Sequence, residues 1–287
     1  MRFQRLLIAA VVACGVSACA KDVTGVTHTP PPLAFVRYIN AVPDTFNMDF
    51  RAVDQVTFSQ PFLNTAFRGL GVGNYQGYQA GSRHIRIFLD PNPSGPTVAV
   101  DPVIASTVMV DTTFTFTAGT YYTVLHVGHA RAPSTDKLLI ITDALPAQSA
   151  TNVQFRVINA AAVQGAVDVY VTTDSTGGVA LAGAPTVAAV APLVPSAYVS
   201  RATGTLFNIR LTTPGTTTIV GNVKGATLQA GTAGTTAADP IFGSQVAGSV
   251  LTAFIFDASS AGSVGAAFAT PGVVYFPDLQ PPRTTSP

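Results

Sequence analysis

The sequence predicts an all-β protein built as two tandem antiparallel β-sandwich domains of Ig-like or transthyretin-like type. Composition is the first reason. All 14 acidic residues are Asp, and Lys occurs only as Lys21, Lys137 and Lys224, so two strong helix formers are missing or scarce. Val, Thr, Phe, Tyr and Ile, which suit a pleated half-buried surface, are abundant, and 25 Gly and 21 Pro punctuate the chain. The second reason is a period of two: in Val167-Asp168-Val169-Tyr170-Val171 the valines share one face and Asp168 and Tyr170 the other. The third is internal similarity, sought first because it decides architecture. Arg37-Tyr38-Ile39-Asn40-Ala41 aligns with Arg156-Val157-Ile158-Asn159-Ala160, and the same offset without a gap pairs Met48-Asp49-Phe50 with Val167-Asp168-Val169.

The N-terminus reads as an address. Arg2 and Arg5 precede an apolar run, Leu6 to Val16, which suits a signal peptide and is too short for a span of about 20 helical residues. The run ends in Val16-Ser17-Ala18-Cys19, which resembles a bacterial lipobox. That resemblance implies a lipoprotein signal peptide over residues 1–18 and acylation at Cys19, palmitate among the chains, holding the protein to a membrane. A plain secretory signal cut near Ala18 or Ala20 is the alternative. Ala20 after the cysteine, by analogy with lipoprotein sorting, points to the outer membrane, with the protein facing the periplasm or the cell surface. Residues 19–32 read as a tether with an extended Pro30–Pro32 segment.

Beyond the tether the reading is a first sandwich at 33–148, a second at 151–282 and a tail at 283–287. Strands are expected at Met48–Arg51, His84–Leu89, Tyr121–Val127, Leu206–Leu211 and Leu251–Phe256. Ala118-Gly119-Thr120-Tyr121-Tyr122-Thr123-Val124 matches Ala247-Gly248-Ser249-Val250-Leu251-Thr252-Ala253, each a glycine turn entering a strand. Leu139–Asp143 matches Val274–Asp278, each ending its copy. The second copy is longer, with its insertion placed in the Gly/Thr/Ala-rich stretch 213–240. The junction Asp143–Ala150 is short, so the two copies should sit close together. With no Trp and no cysteine pair beyond Cys19, stability is expected from apolar burial alone.

The core pattern, strand–Ile-Asn-Ala–loop–(Met/Val)-Asp-(Phe/Val) followed by Ala-Gly-Thr-Tyr-Tyr-Thr-Val, resembles the bacterial domain-of-unknown-function family 4397. Asn40-Ala41-Val42-Pro43-Asp44 keeps the family's loop pattern, while the second copy has Ala161-Ala162-Val163 there. The resemblance implies an extracytoplasmic β-sandwich, often in tandem, and no particular activity.

The chemistry-bearing residues point to no familiar reaction. Net charge is +1, with no basic stripe, which argues against nucleic acid as a partner. No Gly-x-Ser-x-Gly elbow occurs, and Gly69-Leu70-Gly71-Val72-Gly73 lacks the lysine and strand-to-helix context of a phosphate cradle, so it reads as a flexible loop. Arg37, Asn40, Asp49 and their counterparts Arg156, Asn159, Asp168 are candidates for a shared structural or ligand role. For Asp49 and Asp168 the structural version places each on a solvent-facing strand position opposite Arg37 or Arg156. His84, His126 and His129 all fall in the first copy, so a zinc site common to both copies is ruled out. Tyr75, Tyr78, Tyr121, Tyr122, Phe62 and Phe67 could form an aromatic platform for a sugar or peptide, or pack a core. The reading is a non-enzymatic, lipid-anchored envelope module for binding, adhesion or spacing. It has no metal or cofactor, and an envelope polymer or protein is its partner. A hydrolase using Asp and His of the first copy is the alternative and predicts Asp49 or His126 lining a pocket.

Overall fold

A computed structural model describes residues 30–55, 57–71, 74–90, 107–161, 165–173, 179–204, 207–220, 228–235, 237–263 and 267–283. The expected signal peptide (1–18), Cys19, most of the expected tether (19–32), the Val72-Gly73 pair and residues 284–287 lie outside these. The first half of the chain contributes β1 (Leu33–Ala41), β2 (Met48–Ala52), β3 (Phe62–Thr65), β4 (Gly69–Leu70), β5 (Gln76–Gln79), β6 (Gly81–Leu89), β7 (Val108–Phe116), β8 (Tyr121–Val127) and β9 (Lys137–Asp143). The second contributes β10 (Asn152–Asn159), β11 (Val167–Thr172), β12 (Val187–Val190), β13 (Val199–Ala202), β14 (Asn208–Thr212), β15 (Val250–Phe256) and β16 (Gly272–Leu279). Among the described residues there is no helix, so the all-β expectation holds.

Each half forms two sheets. In the first, β4-β1-β8-β9, with β5 also on β1, faces β3-β2-β6-β7. In the second, β13-β10-β15-β16 faces β12-β11-β14. The purely antiparallel expectation needs correction at one place in each half: β1 runs parallel to β8, and β10 parallel to β15. A parallel pair needs a long crossover. Here the connection between partners passes through the facing sheet, which supplies that length.

Three apolar clusters place the layers. Val36, Phe50, Phe62, Tyr78, Ile85 and Phe116 join the two sheets of the first half. Phe155, Val169, Phe207, Ile209, Leu211 and Ile255 join those of the second. The third joins the halves: Ile39, Leu125 and Ile141 from the first pack with Ile158, Phe254 and Phe256 from the second. The sheets containing β1 and β10 are thus inner layers, covered on both faces. Strand alternation divides their side chains between the two interfaces. In β1, Val36 and Tyr38 enter the first-half core, while Ile39 and Ala41 enter the cluster between the halves. In β15, Leu251, Ala253 and Ile255 face one way and Phe254 and Phe256 the other. Burial on both faces explains why β15 is buried along its whole length and reads as an apolar run broken only by Thr252. Residues 32–287 form one compact unit.

The glycine turns matched in sequence have a backbone reason. Gly119 and Gly248 sit at φ +73° and +79°, in the left-handed region that favours glycine, just before β8 and β15. Gly69-Leu70, expected in a loop, is instead the short strand β4 on the end of β1, pairing with Asn40 and Ile39. Pro277 lies within β16, which is an edge strand, the place where a missing N–H is tolerated.

Candidate functional site

A buried polar cluster lies between the two inner sheets. Arg37 on β1 and Arg156 on β10 point away from their own cores into the interface, where both are almost wholly buried. Neither pairs with Asp49 or Asp168, because β1 and β2 belong to different sheets, as do β10 and β11. Each crosses to the other half. Arg37 Nη1 lies 2.7 Å from Asp278 Oδ1, with both side chains fully buried. Arg156 Nη2 bonds Asp143 Oδ1 in the reciprocal pair. The acids are the last polar residues of β9 and β16, the two segments matched to each other in sequence.

The remaining atoms of the network are satisfied in the same reciprocal way. Arg37 Nε donates to Thr123 Oγ1 at 2.8 Å, and Arg156 Nε donates to Thr252 Oγ1 at 2.9 Å. Thr123 donates to Asp143 Oδ2 at 2.6 Å, and Thr252 lies 2.8 Å from Asp278 Oδ2. Tyr75 caps Asp143 through its hydroxyl at 2.8 Å, and Tyr198 caps Asp278 at 2.7 Å. The guanidinium of Arg37 lies over the Tyr75 ring at 4.7 Å and that of Arg156 over the Tyr198 ring at 5.1 Å. Arg37 Nη2 also reaches Thr252 Oγ1 at 3.3 Å, which ties the two pairs together. Two guanidiniums and two carboxylates give a neutral cluster, which is what a low-dielectric interior requires.

Electrostatics agree with the geometry. Burial pushes the Arg37 guanidinium down, but Asp278, with Tyr75 and Asp143, more than offsets this and leaves it above the ordinary arginine range. Burial likewise opposes the charge of Arg156, and Asp143 and Asp278 again outweigh it. Burial, with the neighbouring carboxylates, pushes the hydroxyls of Tyr75 and Tyr198 far up, so both remain neutral donors. Where the sequence reading expects apolar burial alone, the interface between the halves also buries two ion pairs.

Asp49 and Asp168 are not solvent-facing; each is only 4% exposed. Each sits opposite a β-bulge, where the register with the neighbouring strand slips. The bulges place Asn64 at φ +52° and Ala189 at φ +47°. Asp49 Oδ1 accepts the Asn64 N–H at 2.8 Å, and Asp168 Oδ1 accepts the Ala189 N–H at 2.6 Å. The second oxygen takes Arg51 in the first half, at 2.5 Å, and the Gly215 N–H in the second, at 2.8 Å. A bulge leaves an unpaired backbone donor, and the carboxylate satisfies it.

Asn40 and Asn159 are also matched and fully buried. Their side-chain oxygens accept Val42 N–H at 3.0 Å and Ala161 N–H at 3.2 Å. Their amides donate at 3.0 Å to the Thr65 and Gly165 carbonyls. They close the loop after each inner strand. All six residues matched between the halves thus frame the backbone or join the halves.

The first-half histidines separate. His126 is fully buried, donates through Nε2 to Asp136 Oδ2 at 3.1 Å, and sets Nδ1 3.1 Å from Met48 Sδ and 3.4 Å from the Tyr38 hydroxyl. His84 lies on the outer sheet against Asp111, which also holds Arg86. Among the described residues no group of three or more His, Cys, Asp or Glu could hold a metal ion. The proposed aromatic platform is likewise dispersed: Phe62, Tyr78 and Tyr122 are core, Phe67 is in the cluster between the halves, and Tyr75 belongs to the ion-pair network. Tyr121 stacks on Phe35 at 4.7 Å. An open depression of about 580 Å³ lies on the outer sheet of the second half, lined by Asp168, Tyr170, Pro185 and the Gly215–Thr218 turn.

A comparison with family models finds a match for β1 through most of β11. Residues 34–170 match a domain of unknown function, DUF4397. This domain spans the first half and continues through β10, so it covers Arg37, Asp143 and Arg156 but not Asp278. No curated protein matches the chain. Sequence reasoning matched every member of the network except Tyr75 and Tyr198, yet did not join them. The available signal was that Arg37/Arg156, Thr123/Thr252 and Asp143/Asp278 are matched polar residues on otherwise apolar strands.

Proposed function

We propose that this chain is a lipid-anchored cell-envelope protein whose folded part is a tandem duplication of one β-sandwich, acting as a non-catalytic spacer that presents its outer sheets to an envelope polymer or protein. One observation carries the reading: Asp49 and His126, on which a first-half hydrolase would rest, are engaged in architecture, as are the other buried acids. Asp143 and Asp278 neutralise buried arginines, Asp49 and Asp168 cap bulges, and His126 is closed in against Met48, Tyr38 and Asp136. A hydrolase would need such groups facing substrate. Anchoring rests on the Val16-Ser17-Ala18-Cys19 motif and its neutral, low-charge passenger.

The test is metabolic labelling of the full chain with a fatty-acid analogue, followed by membrane fractionation and cross-linking in the native envelope. Label at Cys19, its loss in Cys19→Ser, and a reproducible cross-linked envelope partner are expected. A soluble unlabelled protein would remove the anchor from the proposal. Turnover of an ester or glycoside substrate that survives substitution of an unrelated surface residue but not of His84 or Asp111 would overturn the non-catalytic role.

A further inference from the structure

We propose that Tyr38, Met48 and His126, in the core of the first half, form a binding site for a soft monovalent metal ion, Cu(I). Three donor atoms converge there. His126 Nδ1 lies 3.1 Å from Met48 Sδ and 3.4 Å from the Tyr38 hydroxyl, which lies 3.7 Å from the same sulfur. A triangle with these sides has a point about 2.0 Å from all three atoms, the length of a metal–nitrogen bond. The balance of donors and acceptors points to a cation at that place. His126 gives its Nε2–H to Asp136 Oδ2, so Nδ1 presents a lone pair. The Met48 sulfur has only lone pairs to offer. Among the described residues the Tyr38 O–H is the one proton shared by these two acceptors. Nδ1 and Sδ thus meet lone pair to lone pair, an arrangement that a cation between them stabilises.

The second half shows that the fold does not require these donors. The counterparts of Tyr38, Met48 and His126 are Val157, Val167 and Ile255, all buried in the second core. Apolar volume fills those three places, and the first half replaces all three with donor atoms that meet. The chemistry of the set selects the ion. A thioether with an imidazole is a soft, uncharged pair, which suits Cu(I) rather than the hard cations that take oxygen ligands. Low charge suits the surroundings too. All three side chains are fully buried, Tyr38 stacks on Phe50, and Asp136 supplies one negative charge across the imidazole to balance one positive. The same carboxylate fixes the ring and its tautomer, as carboxylates behind metal-bound histidines do. His126 is the penultimate residue of β8, beside the exposed loop 131–135 that leads to Asp136, and that loop is the route in. Met48, unbranched and adaptable, takes up the small shift that seating the ion requires.

The experiment uses the full chain in detergent, with Cys14→Ser and Cys19→Ser throughout so that no thiol competes for the metal. Cu(I) is offered without oxygen in competition with a chromophoric Cu(I) chelator. One equivalent per chain is expected to leave the chelator. Affinity should fall by roughly a hundredfold in Met48→Leu and in His126→Ile, at least what losing an outer partner costs a metal site. Met109→Leu, the control for an unrelated thioether, should change nothing. Met48→Leu conserves volume and so keeps the core filled. X-ray absorption on the copper-loaded parent chain needs no core variant. It should show sulfur at about 2.3 Å and nitrogen at about 2.0 Å from the metal. No transfer from the chelator, equal affinity in Met48→Leu, or a copper surrounded by nitrogen and oxygen alone would overturn the proposal.

Discussion

The two halves share a framework and differ in how they fill it. Both use the same inner-sheet strand order, the same asparagine at the end of the first strand, the same bulge-capping aspartate and the same arginine, threonine and acid at the mutual interface. Their own cores diverge. Tyr38, Phe50, Phe62, Tyr78, Phe116 and Tyr122 make a web of ring contacts in the first half. The second has Val157 and Val169 at the first two of these framework positions, with Phe155 and Phe207 as its ring pair. His126 of the first half has Ile255 as its counterpart. The difference teaches where substitution is tolerated. A core needs total volume and apolarity, which many side-chain sets supply. A buried ion pair needs its particular partner, and the partner lies in the other half.

Four measurements would break or sharpen that comparison. The largest effect is expected at the interface. Asp278→Ala leaves the Arg37 guanidinium buried beside a missing carboxylate, and Asp143→Ala does the same to Arg156; each should cost about 3–5 kcal/mol in denaturant unfolding. Equal losses support a shared network, and a loss at one end only would break the symmetry. Replacing Arg37→Met together with Asp278→Leu should cost less than Asp278→Ala alone, because no charge is stranded. Next come the divergent cores: Phe50→Ala should cost about 3–5 kcal/mol, and its counterpart Val169→Ala about 2 kcal/mol, in the same measurement.

The bulges give a smaller and opposite sign. Ala189 holds a left-handed conformation that an L side chain adopts at a cost, so Ala189→Gly should raise stability by about 1 kcal/mol. In the first half Asn64, a residue type that tolerates this region, does the same job, and Asn64→Gly should change stability little. The smallest effect is one of pH and belongs to the first half alone. The hydrogen bond from His126, with a second from Ser134, holds the Asp136 carboxyl below the usual aspartate range against its desolvation. A depressed folded value means the contribution is fully present above the unfolded aspartate range and is lost as pH falls through the folded value. Asp136→Asn should flatten that acid-side loss in unfolding curves, leaving the Asp49 and Asp168 bulges unchanged.

The sequence reached much of this. Strand positions at Met48, His84, Tyr121, Val167 and Val250 follow from period-two alternation and glycine turns, which are local properties of the chain. The correspondence of Arg37 with Arg156, of Thr123 with Thr252 and of Asp143 with Asp278 follows from internal similarity. Partner choice did not follow. Alternation states that Arg37 and Val36 face opposite ways, but not whether the face of Arg37 meets water or another sheet. That depends on the sheet of the other half, more than 200 positions away at Asp278. The same limit hid the bulges, since one residue inserted in β3 or β12 leaves the apolar pattern of β2 and β11 intact. The sequence by itself determined an all-β chain with paired framework residues, because those are written in local periodicity and repetition. Only the tertiary structure decided that two inner sheets bury each other and that each half supplies the counter-charge of the other. Coulomb attraction and burial act through space, between residues the chain order keeps apart.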